Sequence, residues 1–182
     1  MSNTSTIARK YDRAFGLFDV DGNGVIEKKD FDLLADAVLR VGGIKAGTVK
    51  ERELHKTFHA CWEAVSAFDD GDGKVTREEF HRALQARFSE RGLLEQHYLP
   101  AMEASFSVID TDDDHKVPAA QMVRYLEALG VPVGEAGAVC AEMDIDGDGH
   151  ITREEFRAGW MDYLLDTTHD TVGSRLLGGN TA

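Results

Sequence analysis

Four short segments rich in Asp, three of them also bearing Gly, punctuate the chain, beginning near Asp19, Asp69, Asp110 and Asp144. Each is flanked by stretches whose apolar residues return every three or four positions, the period of a helix with one buried face. Tyr11, Ala14, Phe15 and Phe18 lead into the first segment, and Phe31, Leu34, Ala35, Val38 and Leu39 follow it. Phe58, Cys61, Trp62, Val65 and Phe68 lead into the second, and Phe80, Ala83 and Leu84 follow it. Phe156, Trp160, Tyr163 and Leu164 follow the last. This irregular fourfold repeat predicts an all-α chain of about eight helices, with no strand longer than a few residues. Gly42-Gly43 is expected to end the second helix, Gly92 and Pro100 to break the middle region, and Gly130 with Pro132 to separate the third unit from the fourth.

The acidic segments have a spacing that suits one kind of ligand. Calcium takes six to eight oxygens, and a loop of twelve residues wraps them around the ion with ligands at positions 1, 3, 5, 7, 9 and 12. From Asp144 the fit is complete: Asp144, Asp146 and Asp148 at 1, 3 and 5, Gly149 at the sharp turn, the His150 carbonyl at 7 and Glu155 at 12. From Asp19 it is nearly so, with Asp19, Asp21, Asn23, the Val25 carbonyl and Asp30. Asp30 is one methylene shorter than Glu, so bidentate contact requires the exit helix to move inward; otherwise coordination falls and magnesium competes. These are EF-hand loops, a helix-loop-helix unit.

The other two loops depart from the pattern. Counting back twelve residues from Glu79 puts Phe68, which has no side-chain oxygen, at position 1. The apolar residues before the first and third loops (Phe15 and Phe18, Phe106 and Ile109) match Val65 and Phe68 only if Asp69 is position 1, so this loop is one residue short. It retains Asp69, Asp70, Asp72 and Glu79 as a weaker candidate site, having lost about 3.3 to 3.6 Å of reach between its first two ligands. The third loop has Asp110, Asp112 and Asp114, but His115 replaces the turn glycine and Gln121 the closing acid, which makes it weak or empty. Position 8 residues of neighbouring loops form a short two-stranded contact, here expected to join Ile26 to Val75 and Val117 to Ile151. Thr76 to Glu79 and Thr152 to Glu155 also satisfy the helix capping box, which is compatible with metal ligation.

The expected architecture is therefore two EF-hand pairs packed into one compact globule: residues 1–91, residues 92–165, and a tail over 166–182 that docks in part through Val172, Leu176 and Leu177. With 42% hydrophobic residues the chain can bury a sizeable core. Its net charge of -13 suits a collector of cations and argues against nucleic acid or anionic lipid as a partner. The start of the chain carries no basic region followed by an apolar run, and Ser2 rather than Gly argues against a myristoyl anchor, so a cytoplasmic protein is expected. Cys61 and Cys140 fall on apolar helix faces and read as reduced core residues. His55 and His59 stand one turn apart, but with no His-Glu-x-x-His arrangement they read as solvated histidines.

The chain resembles the sarcoplasmic calcium-binding protein and calerythrin type. The likeness rests on Phe18-Asp19-Val20-Asp21-Gly22-Asn23-Gly24 with Asp30 closing the loop, a degenerate second loop, a long gap before that loop and a short one from Asp110 to Asp144, and a tail with Leu176-Leu177-Gly178. What the resemblance implies is two EF-hand pairs packed against each other in a compact globule, and a role in calcium buffering or transport. Relatives of this type usually keep the third loop functional, so His115 and Gln121 mark a departure.

Three functions compete at this level. A calcium buffer or store, non-enzymatic and monomeric with two strong sites, fits the Phe-rich helices best. A calcium sensor exposing an apolar groove to a partner protein would draw on Met102, Met122, Met143 and Met161, which are scattered. A calcium-triggered photoprotein would need a luciferin cavity lined by His, Trp and Tyr, for which Trp62 and Trp160 are the only tryptophans, and the last residue is not the Pro on which such proteins end.

Overall fold

The computed structural model describes residues 11–12, 14–67, 69–87 and 91–165, of which 84–87, 91–95 and 162–165 are described by backbone alone. The tail over 166–182, residues 1–10 and Phe68 lie outside the described residues, and with them the expectations for tail docking and the amino-terminal segment.

Apolar periodicity becomes helix throughout. A short helix α1 (14–18) enters the first loop, and α2 (Lys28–Gly42) leaves it, burying Phe31, Leu34, Ala35, Val38 and Leu39. Gly43 ends α2 in the left-handed region at φ 62°, its N–H donating to the Arg40 carbonyl while Ile44 N–H reaches the Leu39 carbonyl. This closure satisfies carbonyls that the helix end leaves orphaned. Thr48 caps α3 (Val49–Ser66), its hydroxyl accepting from Glu51 N–H at 3.2 Å. The remaining helices are α4 (Arg77–Arg87), α5 (Arg91–Ile109), α6 (Ala119–Ala128), α7 (Val133–Met143) and α8 (Arg153–Leu165).

The middle region departs from expectation, because α5 runs unbroken through Gly92 and Pro100. An interior proline costs about 3 kcal/mol by removing an N–H and crowding the carbonyl four residues back. Here Pro100 and Gln96, which carries that carbonyl, are both exposed, so water can serve the orphaned oxygen. Just beyond, Ala101, Phe106, Val108 and Ile109 are buried, and each large side chain fully buried contributes about 1.5–3 kcal/mol. Packing outweighs the local penalty.

The loops meet in pairs through two short antiparallel ladders. β1 (Val25–Ile26) pairs with β2 (Val75–Thr76), placing Ile26 opposite Val75. β3 (Lys116–Pro118) pairs with β4 (His150–Thr152), placing Val117 opposite Ile151. Both cross-pairs are those expected of position 8, and all four side chains are fully buried.

The core is continuous across both pairs. Phe18 stacks on Phe31 at 5.4 Å, and Phe15 meets Phe80 edge-on at 5.8 Å. In the other half Phe156 packs between Phe106, at 5.2 Å, and Tyr125, at 5.7 Å. Phe18 also reaches Tyr98 of α5. Where α2 meets α5, only glycine fits: a Cβ on Gly42 would lie 2.3 Å from the Val108 carbonyl oxygen. Cys61 and Cys140 are free thiols in this core, with burial pushing Cys61 up to about 12 and Cys140 up to about 11. The two-pair globule expected from sequence is the fold observed.

Candidate metal centre

In each complete loop the first carboxylate organises the turn. Asp19 accepts from Asn23 N–H at 2.9 Å and Gly24 N–H at 3.0 Å; Asp144 accepts from Asp148 N–H at 3.1 Å and Gly149 N–H at 3.0 Å. The position 5 side chain then accepts from the N–H at position 7, from Val25 to Asn23 and from His150 to Asp148. Positions 4 and 6 lie in the left-handed region, which glycine enters without penalty: Gly22 and Gly24, Gly147 and Gly149.

The closing acid ties the two ends of the loop together. Asp30 Oδ1 accepts from Val20 N–H at 3.1 Å and its Oδ2 from Glu27 N–H at 2.8 Å. Glu155 does the same with Ile145 N–H at 2.9 Å and Thr152 N–H at 2.9 Å, adding the Thr152 hydroxyl at 2.7 Å. Donor atoms of Asp19, Asp21 and Asp30 gather within 4.8 Å of one another, as do those of Asp144, Asp146 and Glu155. An all-oxygen set of this kind fits a hard divalent cation.

The two loops hold their carboxylates differently. Burial raises Asp30 above the ordinary aspartate value despite N–H bonds from Glu27, Asp21 and Val20, and Asp21 adds repulsion. Burial also acts on Glu155, but the Thr152 N–H and hydroxyl with the N–H groups of Ile145 and Asp146 outweigh it, so this carboxyl lies below the ordinary value. Local donors thus hold Glu155 as a carboxylate, whereas burial works against the charged form of Asp30.

Neighbouring lysines already touch the ligand sets. Lys29 approaches Asp21 at 2.6 Å and Lys116 approaches Asp148 at 2.9 Å, and each lysine lowers its partner. Sequence reading named neither lysine and assigned no ligand to position 9, where Glu27 and Thr152 stand. The template itself flags position 9; the lysines lie outside it. Lys29 is a helix residue, and Lys116 reaches across the ladder from the opposite loop.

The second loop shows where its missing residue belongs. Asp70 N–H bonds Glu79, the role of Val20 and Ile145, and Lys74 N–H bonds Asp72 at 2.8 Å, the position 7 to position 5 contact. Gly71 and Gly73 are left-handed at φ 98° and 78°, matching positions 4 and 6. The deletion therefore removes position 3, and Asp70 occupies position 2, where its side chain is no template ligand. Thr76 and Glu79 are bonded as in loop 4, but among the described residues no three carboxylates of this loop gather within 4.8 Å.

The third loop does gather Asp110, Asp112 and Asp114 within 4.8 Å. Asp110 Oδ1 is buried without a hydrogen-bond partner. Its closing residue is elsewhere: Gln121 Nε2 donates to the Val41 carbonyl of α2 at 2.9 Å, and its oxygen accepts from Arg124. Asp113 and His115 occupy the two left-handed positions at φ 58° and 68°, where other loops have glycine. Lys50 of α3 bonds the Asp110 carbonyl at 2.9 Å and Asp113 Oδ1 at 2.7 Å.

Comparison with known proteins agrees with this geometry. The EF-hand family model matches residues 11–35, 69–84 and 141–160, leaving the third loop outside. A solved calcium-binding protein from Streptomyces coelicolor is 32% identical, with a TM-score of 0.78 and coverage of 87% of this chain and 98% of that one. The chain belongs to the EF-hand proteins of the calerythrin type. Calerythrin from Saccharopolyspora erythraea is 25% identical over 164 residues, 88% of this chain and 93% of its own. The coelenterazine-binding protein of Renilla muelleri shares the EF-hand fold at a TM-score of 0.70 with 21% identity, covering 98% and 97% of the two chains.

Proposed function

We propose that this EF-hand protein is a monomeric, non-enzymatic calcium buffer of the cytoplasm, with strong sites at the first and fourth loops. The ligands are Asp19, Asp21, Asn23, Val25 and Asp30 in one and Asp144, Asp146, Asp148, His150 and Glu155 in the other. Magnesium competes at the first, where the short Asp30 closes the ring. Asp69, Asp72 and Glu79 offer a weaker third site lacking the position 3 ligand, and the third loop acts mainly as a pairing scaffold.

The observation that carries the buffer reading is the way the pairs are locked together. Gly42 abuts the Val108 backbone, Gln121 holds the Val41 carbonyl, and Lys50 spans to Asp110 and Asp113. Among the described residues the exposed large apolar side chains, Val20, Leu33, Val49, Val133 and Ile145, are scattered over separate elements. Among the described residues no helix is long and apolar enough to cross a membrane, and the net charge of -13 disfavours nucleic acid.

A sensor is the second reading, favoured by the Streptomyces coelicolor relative, which is described in calcium-mediated regulation. Likeness to the coelenterazine-binding protein concerns the fold alone. Calorimetry in physiological magnesium, combined with dye binding to apolar surface before and after saturation, separates the two. Two tight sites with no new dye binding support the buffer; a calcium-dependent rise in dye binding overturns it in favour of a sensor.

A further inference from the structure

Outside the calcium loops, α2 and α3 run antiparallel, with two imidazoles facing two carboxylates across their seam. Asp32 and Asp36 lie one turn apart on α2, and His55 and His59 one turn apart on α3. His59 Nε2 is 2.6 Å from Asp32 Oδ1, and His55 Nδ1 is 3.9 Å from the same oxygen. The other nitrogen of His55, Nε2, lies 3.7 Å from Asp36 Oδ1. One donor atom from each of Asp32, His55 and His59 falls within 4.8 Å of the other two. All three residues are partly buried, backed by the two helices and open to solvent on the outer side. The solvated pair expected from sequence is thus a convergent set, completed by a carboxylate from a different helix.

We propose that Asp32, His55 and His59 form a site for a divalent transition metal of the zinc class, with Asp36 as the positioning carboxylate. Imidazole nitrogen favours zinc, copper, nickel and iron over calcium, which needs six to eight oxygens, so the site is chemically separate from the loops. Two histidines and one carboxylate occupy three corners of a tetrahedron, and the exposed side leaves the fourth for water. Metal–nitrogen bonds of about 2.0–2.1 Å set the ligand atoms roughly 3.3 Å apart, so the Asp32–His59 contact opens slightly while His55 draws in. Side-chain rotation of partly exposed residues supplies both movements. Asp36 beside the outer nitrogen of His55 fits the carboxylate that usually accepts the far N–H of a ligating histidine. A metal here ties α2, whose first turn carries Asp30, to the entering helix of the second hand.

The test uses the whole chain saturated with calcium, so that the acidic loops are filled before the second metal is added. Zinc titration by calorimetry should show one further equivalent, and cobalt should give the intense visible absorption of tetrahedral coordination. His55→Gln and His59→Gln should each lower zinc affinity on the order of a hundredfold or more, and Asp36→Asn about tenfold. Helical circular dichroism and calcium uptake should be unchanged in all three variants. No zinc uptake by the calcium-saturated protein overturns the site, as does uptake that survives His59→Gln undiminished.

Discussion

The second and third loops both fall short of a full calcium site, but by different physical routes. The second keeps its closing acid, glycines at both left-handed positions and a carboxylate at position 1, and fails through length: position 3 is gone. The third keeps its length and three gathered carboxylates, and fails through chemistry: Gln121 is neutral and serves the Val41 carbonyl instead of the loop. Each is paired through its position 8 residue with a complete loop. A degenerate hand can therefore retain its structural task while losing ligands, because pairing and ligation use different residues.

That contrast can be broken at several points. The largest effect is expected in a complete loop used as the reference: Glu155→Gln should weaken the fourth site on the order of a hundredfold, about 2.7 kcal/mol. Calorimetry showing unchanged affinity would remove Glu155 as the closing ligand. Next comes rescue by chemistry, since Gln121→Glu supplies the missing carboxylate to a loop of correct length. It should add one calcium equivalent in equilibrium dialysis; the same substitution would add none if the left-handed Asp113 and His115 were what disables the loop.

Rescue by length should be smaller, because an inserted residue must also find the ladder register. Placing one Asp between Asp70 and Gly71 restores position 3 and should strengthen calcium binding by the second loop about tenfold, some 1.4 kcal/mol. Unchanged binding by the insertion variant would mean that loop length is not the defect. The smallest effect is expected for Asp114→Ala, which should leave total bound calcium unchanged at micromolar free ion. A loss of one equivalent would show that the third loop binds despite Gln121.

Much of this was legible in the chain itself. Ligand positions, the turn glycines and the paired residues Ile26, Val75, Val117 and Ile151 follow from a twelve-residue template whose geometry calcium dictates. The one-residue deficit before Glu79 was visible too, from the apolar register of Val65 and Phe68. Less legible was which ligand the deficit removed. Only the hydrogen bonds of Asp70 and Lys74, with the left-handed Gly71 and Gly73, assign it to position 3. The unbroken α5 was missed because Pro100 is a local signal, while the burial that overrides it is not.

The sequence by itself determined the helix-loop-helix repeat and the spacing of the acidic residues in the first and fourth loops, because those depend on order within a dozen residues. Tertiary structure alone decided the rest. It buried Asp30 enough to raise its carboxyl, turned Gln121 toward α2, and set Asp32 against His55 and His59. Each of these depends on which groups from distant parts of the chain share one small volume, and that is fixed only when the helices pack.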